Sequence, residues 1–121
     1  MKLLFVCVFT FLLCTVRAYA DEWDATDKAL GAAVATASVI DWAQTRYIAT
    51  HATTLHENNP VLGLHPSLGY VNTYFVASII GGALLADYLP SKYRKLFLGG
   101  AVLVELYFIG NNKHIGIGMA F

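Results

Sequence analysis

Asp41, Gln44 and Thr45 sit close together in one apolar stretch of the chain, and Glu105 sits alone in another. Ser38, Asp41 and Thr45 recur at three-to-four spacing, which places them on one helical face with Gln44 flanking it. Acids in membrane-length apolar runs are costly, so they face a protein interior or a water-filled cavity and mark a candidate functional site. Two chemistries are open to them. Paired carboxyls at low dielectric share a proton, hold a cation, or divide into a general acid and a general base. Alternatively they form a structural clamp, with Gln44 or Asn72 satisfying each acid and locking neighbouring helices together. The clamp is the favoured reading, and the ligand or proton site stays open beside it.

A second group, His51, His56, Glu57, Asn58, Asn59 and His65, is crowded into one connector. Imidazole and carboxylate are zinc ligands, but their spacing here matches no established metal pattern. His56-Glu57 lacks the second histidine, four residues on, that a H-E-x-x-H helix needs. No metal and no cofactor is expected. Glu57 and Asn59 are expected to cap or tether the loop, with Pro60 fixing its exit. Nucleophilic catalysis has less behind it, because Ser38, Ser67, Ser78 and Ser91 lack a Gly-x-Ser-x-Gly elbow. Gly81-Gly82 and Gly99-Gly100 fall mid-helix, where close helix contact explains them better than a phosphate cradle. The candidate polar cluster is therefore Asp41, Gln44, Thr45, Glu57, Asn59, Asn72 and Glu105, and an enzyme is not the expected class.

The elements that must position these residues are helical and apolar. Of 121 residues, 57% are hydrophobic and 13% charged, with mean hydropathy +0.56. A soluble domain carries about 25% charged residues, so this surface is too apolar for water alone. Formal charge is zero, and no basic cluster exceeds Lys92, Arg94 and Lys95, which argues against a nucleic-acid partner. Residues 1–20 read as a secretory signal, with Lys2, an apolar run from Leu3 to Cys14, and Ala18-Tyr19-Ala20 before Asp21. An uncleaved first helix is the rival. Cleavage would remove Cys7 and Cys14, both cysteines of the chain, and with them disulfide and thiolate chemistry.

After a short lead-in from Asp21 to Lys28, a helix is predicted over Ala29 to Ala49. The connector runs from His51 to Gly69, with Pro60, Pro66, Gly63 and Gly69 as breakers. A second helix is predicted from Tyr70 to Leu89, near the roughly 20 residues of a membrane span. Ala77-Gly81 and Gly82-Ala86 are small-xxx-small pairs suited to close helix approach. Pro90 ends this helix, Ser91 to Lys95 reads as a basic turn, and a third apolar stretch runs from Leu96 to Gly110 before Asn111-Asn112. Trp42, Tyr70, Tyr74, Tyr88 and Tyr93, near segment ends, read as an interfacial belt. With an exported N-terminus and three full spans, the basic turn falls outside, against the positive-inside rule. A semi-embedded first helix beside two spans removes that conflict.

The run Asp41-Trp42-Ala43-Gln44-Thr45, then Glu57-Asn58-Asn59-Pro60, Gly63, His65-Pro66-Ser67 and Val71-Asn72-Thr73-Tyr74-Phe75, resembles a family of small uncharacterised membrane proteins of bacteria and their phages. Its pattern is D-x-x-Q-T, then E-x-N-P, then a Pro-Ser turn into a helix. The resemblance covers Asp41 to Phe75, and more loosely Leu89 to Asn111. It implies a bacterial or phage-borne membrane protein with these polar residues as its signature, and it implies no activity.

The expected fold is all-α. It is a small helical membrane protein with two to three membrane-embedded helices, forming one domain over residues 21–121 after the signal. The expected location is the bacterial inner membrane with the N-terminus exported. The expected partners are the bilayer and a second copy through the small-residue faces. The expected role is a non-enzymatic assembly or binding factor. A phage-type pore or lysis helper is one alternative, and an ion-coupled small transporter or intramembrane enzyme using Asp41 and Glu105 is another.

Overall fold

Three α-helices and their connections make up the structure, a computed structural model that describes residues 21–114 and 116–119. The expected signal segment 1–20, with Cys7 and Cys14, lies outside the described residues. Helix α1 spans Ala25–Thr50, α2 Leu68–Tyr88 and α3 Ser91–His114. The described residues are all-helical or irregular, with no strand among them.

Each helix starts on a local signal. Asp24 caps α1: its carboxylate accepts from Asp27 N–H at 2.8 Å, and Asp27 Oδ2 accepts from Asp24 N–H at 3.1 Å. This reciprocal capping box satisfies two otherwise orphaned donors, so α1 begins at Ala25 and absorbs much of the predicted lead-in. Ser67 caps α2 by accepting from Tyr70 N–H at 3.2 Å, so α2 begins at Leu68, two residues before the predicted start. Leu89 is extended because it precedes Pro90, and this ends α2 at Tyr88.

Helix α3 differs most from the sequence expectation. The Pro90 carbonyl already accepts from Arg94 N–H at 2.9 Å, so the predicted basic turn Ser91 to Lys95 is the first turn of α3. Proline has no N–H to lose at a helix start, and its fixed φ suits one. At the other end α3 continues through Asn111 and Asn112 to His114, where the sequence reads as a stop. Asn112 stays helical because its side chain is bound inside the protein.

The polar pairs give the helix directions. Asp27 meets Arg94, Ser38 meets Glu105 and Asp41 meets Asn112, so α1 and α3 run parallel. Trp23 meets Asp87 while Trp42 meets Asn72, so α2 runs antiparallel to α1. Helix α1 packs mostly on α3 and less on α2, and α2 and α3 touch each other little. The result is a splayed hairpin with α1 seated in its crease.

Ile48 of α1 and Phe75 and Val71 of α2 are almost fully buried. Each contributes about 1.5–3 kcal/mol by leaving water. Val71 and Phe75 cluster with Leu62 of the connector, and Trp42 stacks on Phe75 with centroids 6.1 Å apart. The outer faces are different. Val76, Ile80, Leu84 and Leu85 of α2 and Leu96, Leu103, Val104 and Leu106 of α3 are exposed. Among the described residues α2 is the one helix long and apolar enough to cross a membrane, and 11% of its most apolar window is buried.

Of the small residues expected at helix contacts, Ala86 is fully buried, but the glycines among them make no close approach within the described residues. A Cβ built at Gly81, Gly82, Gly99 or Gly100 would meet nothing within 4 Å, so no helix approaches closely there. Close approach occurs instead at Gly31, where a Cβ would stand 2.9 Å from the Trp23 ring.

Candidate functional site

The lower end of the bundle is an ionic lock. The Arg94 side chain is fully buried, and its guanidinium reaches Asp27 Oδ2 at 2.9 Å. It also donates to the carbonyls of Ala86, Asp21 and Leu89 at 2.8, 2.7 and 2.9 Å. Lys95 Nζ reaches Asp24 at 2.7 Å and Asp27 at 3.1 Å. The Trp23 ring lies 5.0 Å from the Arg94 guanidinium carbon, and its indole N–H donates to Asp87 at 3.2 Å. Burial alone would raise the Asp27 carboxyl. The bonds from Lys95, the Asp24 N–H and Arg94 outweigh that and hold it below the usual aspartate value. Bonds from Lys95 and the Asp27 N–H likewise lower Asp24. Sequence reasoning did not single out this lock, although the D-x-x-D capping pattern before an alanine-rich run marks half of it.

Midway up, the α1–α3 interface carries a polar seam. Ser38 Oγ donates to Glu105 Oε1 at 2.9 Å. The Asp41 and Glu105 carboxyls lie within hydrogen-bonding reach of each other. Two carboxyls so placed away from water repel each other when both are ionised, so the neutral donors around them matter. Above them Asn112 Nδ2 donates to Asp41 Oδ1 at 3.2 Å and to Gln44 Oε1 at 3.1 Å. One α3 amide thus serves two α1 acceptors.

The connector closes the top of the seam. Glu57 Oε1 accepts from Asn59 N–H at 2.7 Å, and Asn59 Oδ1 accepts from Val61 N–H at 3.0 Å. Asn59 Nδ2 donates to the Tyr74 hydroxyl at 3.0 Å, which ties the loop to α2. Gly63, at φ 78°, makes the left-handed turn that lets Leu64 O accept from Glu57 N–H at 3.0 Å. Burial pushes the Glu57 carboxyl up, against the opposing pull of the Asn59 N–H bond and of the nearby Thr45 hydroxyl and Asn58 N–H. Thr45, which is 1% exposed, sits beside Glu57.

Six of the seven candidate residues therefore lie along one continuous stack: Asp41, Gln44, Thr45, Glu57 and Glu105, with Asn59 behind Glu57. Asn72 does not join them. Its Oδ1 accepts from Trp42 Nε1 at 3.0 Å and Arg46 Nη1 at 2.6 Å, because the antiparallel register of α2 puts it on the other flank of α1. The amide the clamp needs is Asn112, which the sequence places at an apparent helix end. Trp42, Tyr70 and Tyr74 each make a specific hydrogen bond, Tyr70 to the Val61 carbonyl at 3.1 Å. Among the described residues no group of three metal-ligating side chains converges.

Between α2 and α3, over the small residues of α1, lies a groove of about 490 Å³. Its middle is formed by Gly31, Ala35, Gly82, Ala83, Leu98 and Ala101. One end carries Ser38, Ser78 and Glu105, and the other Trp23 and Lys28. The site combines a braced acid pair with an apolar groove that shares Glu105. No family model, curated protein or solved structure matches the chain.

Proposed function

We propose that this chain is a small bacterial or phage-borne inner-membrane protein that acts as a non-enzymatic assembly or binding factor. Its α2–α3 hairpin is embedded in the bilayer, and α1 is held in the hairpin's crease by the polar seam. The observation that carries this reading is the exposure of α2. A helix this apolar belongs in a core or in lipid, and 11% burial of its most apolar window makes it a poor core helix. Helix α3 is proposed as the second embedded element: its outward Leu103, Val104 and Leu106 extend the apolar face, and its Glu105 turns toward α1. The open space at Gly81, Gly99 and Gly100 suits a second copy or a partner helix.

The test is fractionation followed by cross-linking in the membrane. The protein is expected to stay with membranes through an alkaline carbonate wash and to yield a cross-linked dimer or a fixed heteromer. Release by carbonate contradicts the reading. The contact between Asp41 and Glu105 favours a second reading, a proton- or cation-coupled carrier. Under that reading Asp41→Asn and Glu105→Gln abolish function at unchanged protein level, whereas retained function in Asp41→Asn supports the clamp.

A further inference from the structure

The groove between α2 and α3 has the size of a small-ligand site, which is typically about 300–1,000 Å³. It is apolar along its length and polar at its two ends. At the upper end Ser38, Ser78 and Glu105 line it, and Ser38 is already committed, donating to Glu105 Oε1. Glu105 Oε2 has no hydrogen-bond partner, and the Asp41 carboxyl lies beside Glu105. This end therefore offers acceptors and negative charge, and the ligand that complements it brings an N–H donor and positive charge. A fatty carboxylate headed at this end would set a third acid against the pair, and one headed at the other end would meet only the exposed, solvated Lys28.

We infer that the groove binds a lipophilic ammonium compound, with its charged head on Glu105 and its hydrocarbon body along Gly82, Ala83, Ala101 and Leu98. This names a ligand class for the binding role proposed above and rests on that reading. A charge-assisted hydrogen bond in an apolar site is about twice as strong as a neutral one, which makes Glu105 the anchor. The apolar body fits because Gly82 leaves its stretch of wall open, with no atom within 4 Å of a Cβ placed there. The same fact supplies a blocking variant, since Gly82→Leu would fill the groove without displacing backbone.

Trp23 lines the lower end and serves as the reporter, in a Trp42→Phe background that keeps the stack on Phe75. Detergent-solubilised full chain is titrated with dodecylamine, with dodecanoate and dodecanol as controls, and Trp23 emission is followed. The expected result is a saturable change with the amine alone. Gly82→Leu should abolish it, and Glu105→Gln should weaken it by about tenfold or more. If Glu105→Gln fails to fold, the Gly82→Leu result and the choice among the three probes still decide. Equal response to all three probes would mean a general lipid contact and overturn the proposal. So would a response unaffected by Gly82→Leu, or none at all. Carbonate resistance is measured separately, so failure of the groove and failure of the membrane reading remain distinguishable.

Discussion

The two ends of the α1–α3 contact solve the burial of charge in opposite ways. At the lower end, Asp24 and Asp27 face Arg94 and Lys95, and a fully buried guanidinium has its donors filled. In the seam, Asp41, Glu57 and Glu105 are gathered with hydroxyls and amides, and the groups acting on Asp41 and Glu105 include no cation. The lock works because its charges are opposite, whereas the seam holds like acids together with neutral donors from Ser38 and Asn112. An end built of opposite charges fixes geometry. An end built of like charges leaves an acceptor for something else.

The largest expected effect comes from breaking the lock. Arg94→Met leaves Asp27 with Lys95 alone as counter-charge and strands three carbonyls, and should lower the thermal midpoint by roughly 10 °C or more in a detergent melt. Next is Asn112→Leu, which leaves Asp41 and Gln44 without their shared donor and should cost about 2 kcal/mol. Asn59→Ala removes the ties to Val61 and Tyr74 and should cost about 1–2 kcal/mol, with amide exchange rising first in residues 57–64.

The pH response should carry opposite signs at the two regions. Asp24 and Asp27 have folded values below 3.8, so their contribution is complete above that pH and is lost as pH falls through the folded values. Glu57 is raised above 4.5, so its contribution is complete below 4.5 and is lost as pH rises through the folded value. Melts of Glu57→Gln against the parent should show the variant losing less on the alkaline side, with the acid side unchanged. The smallest effect is Asp41→Asn, which keeps an acceptor for Asn112 and removes a like charge. Its midpoint should equal or exceed the parent's, and a large drop would show that the seam needs the charge.

Much of the seam was legible in the sequence, because an acid flanked by Ser38 and Thr45 at three-to-four spacing in an alanine-rich helix has only an interior to face. Helix α2 was legible to within two residues, since Pro66-Ser67 and Leu89-Pro90 punctuate it locally. Long-range pairing was not legible. Asn112 reads as a helix stop until Asp41 and Gln44 are brought to it, and Asn72 reads as their partner until the antiparallel register carries it to Trp42 and Arg46. Arg94 looked like a free basic residue in a turn, because its acid partner lies 67 residues away. Pairing at that distance follows from how α1 sits in the crease, and no window of sequence contains it.

Lipid exposure of α2 is the claim on which the rest depends. A nitroxide at Ile80, which is 56% exposed, reports it directly in reconstituted vesicles of a chain with Cys7 and Cys14 replaced by serine. High collision with oxygen and low collision with a water-soluble nickel chelate at Ile80, reversed at Lys92, is the result this account predicts. Free access of the nickel chelate to Ile80 would contradict it.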